Sequence, residues 1–355
     1  MPNDFWFSRI PASDAPAWSP PTPMDDTAIA LENARLKASW DCLPAEHLAV
    51  YLGVEEQDQR LNTHSILNRA LLIDSLWPGC FDALIDEELR FGLVMTWLLQ
   101  ALKSGAERAR LLEELDRPAS GSQIPAIVRR TWHWLQSDSC PIPDYLGEAL
   151  MYVDPDRPHW SLFEPAMNTF ASIWSSQLSA RNAKCVEVLE VACGSGNDFK
   201  ALRNFGLERH ISYAGFDIAW KNIRNAREIF PGVRFFEASI LDSGLPDKSF
   251  DYLFVHDLLG HLSPDALEIA VGEIMRVTRC EAWLHCHNIA GIPRHEIRPF
   301  LSYFRNRLSI PQLKASLEAA GATVTVVPLS GLLRQKFDVA PEYTASAGTF
   351  LARAG

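Results

Sequence analysis

A chain of 355 residues, 47% hydrophobic and 22% charged, is long enough to bury a sizeable core and has the balance of a soluble globular protein. Its 44 acidic against 33 basic side chains leave a formal charge of −11, and no basic run interrupts them, which argues against nucleic acid as the partner. The seven cysteines, Cys42, Cys80, Cys140, Cys185, Cys193, Cys280 and Cys286, have no CxxC spacing, so neither a disulfide framework nor a zinc knuckle is expected.

Residues 1–24, rich in Pro, Ser and Asp, read as an arm that packs, if at all, through Trp6, Phe7 and Trp18. They lack the basic start and apolar run of a signal peptide, and no segment has the length and apolarity of a membrane span. A cytoplasmic protein with no membrane partner is expected. Residues 25–158 read as an α-helical domain, with helices in DDTAIALENARLKASW, FDALIDEELRFGLVMTWLLQALKSG and SQIPAIVRRTWHWLQS. YVDPDRPHW is a joint, and SLFEPAMNTFASIWSSQL is an amphipathic helix leading into the last domain, residues 159–355.

There the pattern changes. Strands are predicted in VEVLEVA, ISYAGFDIA, VRFFEASI, SFDYLFVHD, EAWLHCHNI, ATVTVVPL and AGTFLARA. Helices lie between most of them, so the fold class is α/β, a doubly wound and mostly parallel sheet. The last two strands show no helix between them, which predicts an antiparallel strand near the edge. A small group of arginines, Arg294, Arg298, Arg305 and Arg307, reads as a solvated helix face.

The first of these strands runs straight into Ala192-Cys193-Gly194-Ser195-Gly196, a loop with almost no side chains. In an open α/β sheet that position holds a ligand against bare backbone. A dinucleotide fingerprint needs a third glycine where Phe199 or Asn197 stands, and no Lys-Ser/Thr pair follows as a P-loop requires. Phosphate cradles are therefore disfavoured. Glu190 at the end of the first strand suits a cationic amine, and Asp217 at the end of the second suits two ribose hydroxyls. A nucleoside with a cationic amino-acid tail and no phosphate is S-adenosylmethionine.

With these residues in place, the chain from about Trp160 onward resembles the class I S-adenosylmethionine-dependent methyltransferases. The family's first motif stands as EVACGSGN, Glu190 to Asn197, with Ala192 and Asn197 where the family has glycines. The strand end GFDIA, the segment ASILDSGLPDKSFDYLFVHDLLGHL and the phrase EIMRVTR follow in the family's order. The resemblance implies a Rossmann-like sheet, S-adenosylmethionine as cofactor and S-adenosylhomocysteine as product. It implies cofactor contacts from Glu190, Ala192, Gly194, Gly196, Asp217, Ile218, Ser239 and Ile240, the last three at the adenine. It also casts the helical domain as lid, substrate pocket and homodimer surface; Trp132, Trp134, Trp160 and Phe163 are pocket candidates, although for most of them ordinary core is the better reading.

Polar residues at the ends of the fourth and fifth strands should face the acceptor. They are His256, Asp257 and His261, then His285, His287 and Asn288. A histidine beside the methyl donor can take a proton from an attacking hydroxyl, amine or carbon acid, which makes His256, His261 and His287 the candidate bases and Asp257 their orienting carboxylate. His285 lies deeper and reads as a hydrogen-bonded core residue. A metal held by His256, Asp257 and either His287 or His295 is a lesser reading, drawn from a resemblance to some α-keto-acid C-methyltransferases. The expected function is methyl transfer to O, N or C of a small molecule in a biosynthetic pathway. The alternatives are a non-methylating reaction of the same cofactor, such as cyclisation or elimination, and a cofactor-binding subunit without chemistry.

Overall fold

The computed structural model describes residues 24–41, 63–103, 107–117, 124, 126–135, 160–182, 184–300, 303–338 and 344–355. The amino-terminal arm and the joint before Trp160 lie outside them. So do the side chains of Trp134, Trp160 and Phe163.

Among the described residues the first half is helical: α1 (Asp26–Asp41), α2 (Thr63–Leu76), α3 (Asp82–Lys103), α4 (Arg108–Asp116), α5 (Ala126–Leu135) and α6 (Trp160–Ser179). Asp25 caps α1, its Oδ1 accepting from the Ala28 N–H at 2.8 Å. The sequence pattern did not single out α2. Its first eight residues, Thr63 to Ala70, are all buried, including His64, Ser65, Asn68 and Arg69, so it lacks the polar stripe by which a surface helix is recognised.

The second half opens with β1 (Val186–Val191), α7 (Asn197–Asn204), β2 (Ile211–Asp217), α8 (Trp220–Ile229), β3 (Arg234–Glu237), β4 (Phe250–His256), α9 (Pro264–Val277) and β5 (Thr278–Cys286). Four two-residue strands follow, β6 (Ile289–Ala290), β7 (Pro299–Phe300), β8 (Tyr303–Phe304) and β9 (Leu308–Ser309). Next come α10 (Ile310–Ala319), β10 (Ala322–Pro328), α11 (Leu329–Phe337) and β11 (Gly348–Ala354). Ser263 and Ser309 cap α9 and α10, and each is followed by a proline in the first turn.

The seven long strands form one sheet in the order β10-β11-β5-β4-β1-β2-β3, the doubly wound, mostly parallel arrangement. Strand β11 is antiparallel to both β10 and β5 and lies one place in from the edge. Two expectations are corrected. A helix, α11, does separate the last two strands. Its Leu329, Leu333 and Phe337 are buried at four-residue spacing, but Ser330 and Gly331 made the segment read as a loop. The arginine group is not on a helix but in the irregular segments between the short strands, with Arg307 in an isolated bridge to Glu296. There Glu296 pairs with Arg298 and, at 3.8 Å, with Arg307, while Arg305 stacks 3.6 Å from the Phe300 ring centre.

The sheet is covered on both faces, and strand alternation divides its side chains between two cores. Leu189, Val191, Leu253, Val255, Ala282 and Leu284 join α9 and α10 in one core. Val188, Tyr213, Phe254 and Trp283 point the other way, into a core shared with α2, α3, α5, α6, α7 and α11. Trp132 belongs to that second core, 2% exposed, with its indole N–H donating to Asp116 at 2.9 Å. Helices α2, α3, α5 and α6 therefore lie directly on one face of the sheet, while Leu36 of α1 joins the core on the other.

A buried ion pair locks this contact. Arg69 of α2 bonds Glu88 of α3, the two side chains 1% and 5% exposed. Glu88 also accepts from the Trp174 indole of α6 at 2.9 Å, and the Arg69 guanidinium lies 4.2 Å from the Phe205 ring centre. Burial raises the Glu88 carboxyl above its usual range, with the Arg69 charge and bonds opposing. Arg69→Met leaves that carboxylate without its cation, and urea denaturation should show a loss of about 3–5 kcal/mol. Adding Glu88→Leu should recover most of it, since an apolar pair removes the stranded charge.

Candidate active site

The chain lays β1, β2 and β3 in one direction, then returns to place β4 and β5 on the other side of β1. The crevice at that reversal, beyond the carboxyl ends of β1 and β4, is where open α/β sheets bind ligands. The glycine loop occupies it. Gly194 and Gly196 have φ of 54° and 83°, the left-handed region. A Cβ on Gly196 would meet Phe230 and Phe235 at 3.0 Å, so that glycine serves packing as well as conformation. A Cβ on Gly194 would meet nothing within 4 Å, so open space lies above it. Ala192 also sits at φ 56°, which costs an L-residue about 1–2 kcal/mol.

Asp217 clamps this loop. Its two carboxylate oxygens accept from the Gly194 N–H at 2.9 Å and the Ala219 N–H at 2.7 Å, the Asn222 side chain is a further donor, and lone-pair capacity is left for a ligand. Ser195 is 2% exposed, and its hydroxyl has no hydrogen-bond partner among the described residues, as expected where a ligand completes the site. Ile218 is half-buried, whereas Ile240 is 5% exposed and belongs to the α9-side core. The Ser239 hydroxyl donates to Asn33 of α1, and Lys37 of the same helix reaches Glu237 at 2.6 Å. Helix α1 therefore covers the β3 side of the crevice.

Three buried carboxylates converge here. Glu190, Asp198 and Asp217 are 2%, 5% and 6% exposed. Burial raises the Glu190 carboxyl well above its usual range, and the charges of Asp198 and Asp217 push it further. Only the Tyr213 hydroxyl, donating to Glu190, opposes the shift. Such a group calls for a cation.

Strand alternation sets Glu190, His256 and His285 on the same face of the sheet, under α2. His64 of α2 meets them there. Its ring centre lies 4.5 Å from that of His287, 5.6 Å from His285 and 5.7 Å from His256. Asp198, in the first turn of α7, takes bonds from the Ser65 hydroxyl and, at 3.1 Å, from His256 Nδ1. Burial pulls the His256 imidazole down but Asp198 outweighs it, so the net shift is upward. Burial lowers His64 and His287 and brings His285 down to about 3, with the neighbouring imidazoles adding to the effect. His285 bonds Thr349 Oγ1 at 2.9 Å and Asn68 Oδ1 at 3.3 Å, as a structural residue does.

Nearer the solvent, Asp257 and His261 are 42% and 39% exposed and lie 3.7 Å apart. His261 Nδ1 meets the Phe304 carbonyl at 3.0 Å, so that nitrogen carries the proton and Nε2 faces Asp257. Asp257 holds a left-handed φ of 52°. His295 lies apart from this group, its Nδ1 accepting from the Ser309 N–H at 2.8 Å. Sequence reasoning passed over His64, Ser65, Asn68 and Asp198. The available signal was polar residues at four-residue spacing in an otherwise apolar helix, THSILNRALLIDSL, and an acid in the helical turn after the glycine loop.

Residues 188–281 match a family model described as a methyltransferase domain. The match runs from β1 into β5 and shows a methyltransferase domain over this segment. No curated protein matches the sequence. A 1,6-didemethyltoxoflavin N1-methyltransferase from Burkholderia thailandensis, solved with 1,6-didemethyltoxoflavin and S-adenosylhomocysteine, is 17% identical. The likeness covers 52% of this chain and 76% of that one, with a TM-score of 0.37. A TehB-like methyltransferase from Corynebacterium glutamicum is 17% identical over 51% and 86%, TM-score 0.36. An S-adenosylmethionine-dependent methyltransferase from Mesorhizobium loti is 13% identical over 51% and 96%, TM-score 0.38. Scores this low carry no argument about substrate.

Two expectations follow for the methyltransferase domain's loop. Ala192→Gly relieves the left-handed alanine and should raise stability by up to about 1 kcal/mol, read as a higher denaturation midpoint with an unchanged slope. Glu190 binds its proton more tightly when folded than when unfolded. Its contribution to stability is therefore complete below about pH 4.3 and is lost as pH rises through the raised folded value. Glu190→Gln should flatten that fall in urea titrations at a series of pH values, and an unchanged fall would assign it to other groups.

Proposed function

We propose that this protein transfers the methyl group of S-adenosylmethionine to a small molecule held between the sheet and the helical half. The observation that carries the reading is the convergence of Glu190, Asp198 and Asp217, buried below an open, glycine-walled crevice. Asp198 already has His256, and the ammonium and sulfonium of the cofactor would supply the positive charge that Glu190 and Asp217 lack. Asp217 would take the ribose hydroxyls on its remaining lone pairs while still clamping Gly194.

The acceptor would lie at the ends of β4 and β5, under α1 and α2. His261 is our choice for the base. Its Nδ1–H is committed to Phe304, its Nε2 is left as the proton acceptor, and its partial exposure leaves it reachable. Asp257 stabilises the imidazolium that forms. The rest of the rate would come from orientation and from the exclusion of water by the covering helices.

The test is incubation with methyl-labelled S-adenosylmethionine and whole cell extract, followed by separation into low-mass, protein and nucleic-acid fractions and mass analysis. One labelled small molecule gaining a single methyl supports the reading. Label found only in protein or nucleic acid, or turnover of the cofactor without methyl gain, would overturn it. Asp217→Ala should weaken cofactor binding by about 10–100-fold, the worth of one or two charge-assisted hydrogen bonds. His261→Asn should lower kcat by about 10²–10⁴-fold with cofactor affinity unchanged.

A further inference from the structure

The imidazoles of His64, His256 and His287 come from three separate elements: the first turn of α2, the last residue of β4, and the residue just after β5. One ligand nitrogen from each lies within 4.8 Å of the other two. Tetrahedral zinc, with Zn–N bonds of about 2.0–2.1 Å, sets its nitrogens roughly 3.3 Å apart, so the imidazoles would have to draw together by up to roughly 1.5 Å to hold the ion. We propose that His64, His256 and His287 form a binding site for a divalent transition metal ion of the zinc class. This goes beyond the methyl-transfer reading and does not depend on it.

The surroundings are those of a metal site. His256 Nδ1–H donates to Asp198 at 3.1 Å, which directs Nε2 as the lone-pair nitrogen. A carboxylate behind a ligating histidine, fixing its tautomer and raising its basicity, is the usual outer partner of such a ligand. Asp198 is itself anchored by the Ser65 hydroxyl, one residue from His64 on the same helix. Two of the three imidazoles, His64 and His287, are held neutral, the state in which imidazole coordinates. The Asp198 and Asp257 carboxylates balance the two positive charges of the ion. Clustered imidazoles with no thiolate select zinc, copper, iron or nickel over magnesium or calcium. Three protein ligands leave one coordination position open, as in catalytic rather than structural zinc sites.

The experiment uses the full chain, stripped with a chelator and shown by circular dichroism to stay folded. Zn²⁺ is titrated by calorimetry, and Co²⁺ by its visible d–d absorption. One ion per chain with tetrahedral cobalt bands is the expected result. His64→Ala and His287→Ala should each weaken binding by more than about 100-fold, and Asp198→Asn by about 10–100-fold. The exposed His133→Gln should leave it unchanged. His287→Gln, which keeps the side-chain volume and a polar tip, serves if the alanine variant unfolds. Absent binding, octahedral cobalt spectra, or affinity untouched by His64 and His287 variants would overturn the site. Cofactor binding measured on the same stripped protein separates that failure from failure of the methyltransferase reading.

Discussion

Asp198 accepts from Ser65 on α2 and from His256 at the end of β4, and it stands in the first turn of the helix that the glycine loop opens into. One buried carboxylate thus joins the helical half, the sheet and the glycine loop. A charge 5% exposed is tolerated only where donors surround it and a positive end of a helix faces it, and Asp198 has both. Burial opposes its ionisation, but His256 prevails and keeps the carboxyl below its usual range. The relative positions of loop, histidine cluster and α2 all depend on that arrangement.

The two faces of the sheet divide the labour. On the α9 side the strand ends carry Val191, Val255 and Leu284, all nearly inaccessible, and the packing is apolar throughout. On the α2 side the same strand ends carry Glu190, His256 and His285, with His256 level with His285; across the gap Asn68 meets His285, His64 meets His256, and Ser65 bonds the Asp198 that holds His256. A polar interior of this kind persists only when most of its members are satisfied. The large aromatic residues lower on that face, with the Arg69–Glu88 pair, hold the helices down over it.

Charge explains why the polar side is arranged as it is. The acids gather at the loop, where burial and the charges of Asp198 and Asp217 drive Glu190 toward its neutral form. The imidazoles gather beside them, and burial keeps most of them neutral. A cationic cofactor at the first group and a metal ion at the second would each restore balance. Asp198 borders both, so occupation of one site changes the field at the other.

The sequence by itself determined the sheet, because strands buried on both faces write long apolar runs and their helices write a clear 3.6-residue period. It also determined the loop, since only small residues let backbone lie open between Glu190 and Asn197, and it marked Asp217 and the histidines by their places at strand ends. Helix α11 escaped because a short helix held by three buried side chains carries little local signal. The meeting of His64 with His256 and His287, and of Ser65 with Asp198, was decided only by tertiary structure. A helix buried nearly all round shows no face that says where its polar residues point, and a contact spanning 133 residues, as between Ser65 and Asp198, leaves no periodic trace in the chain.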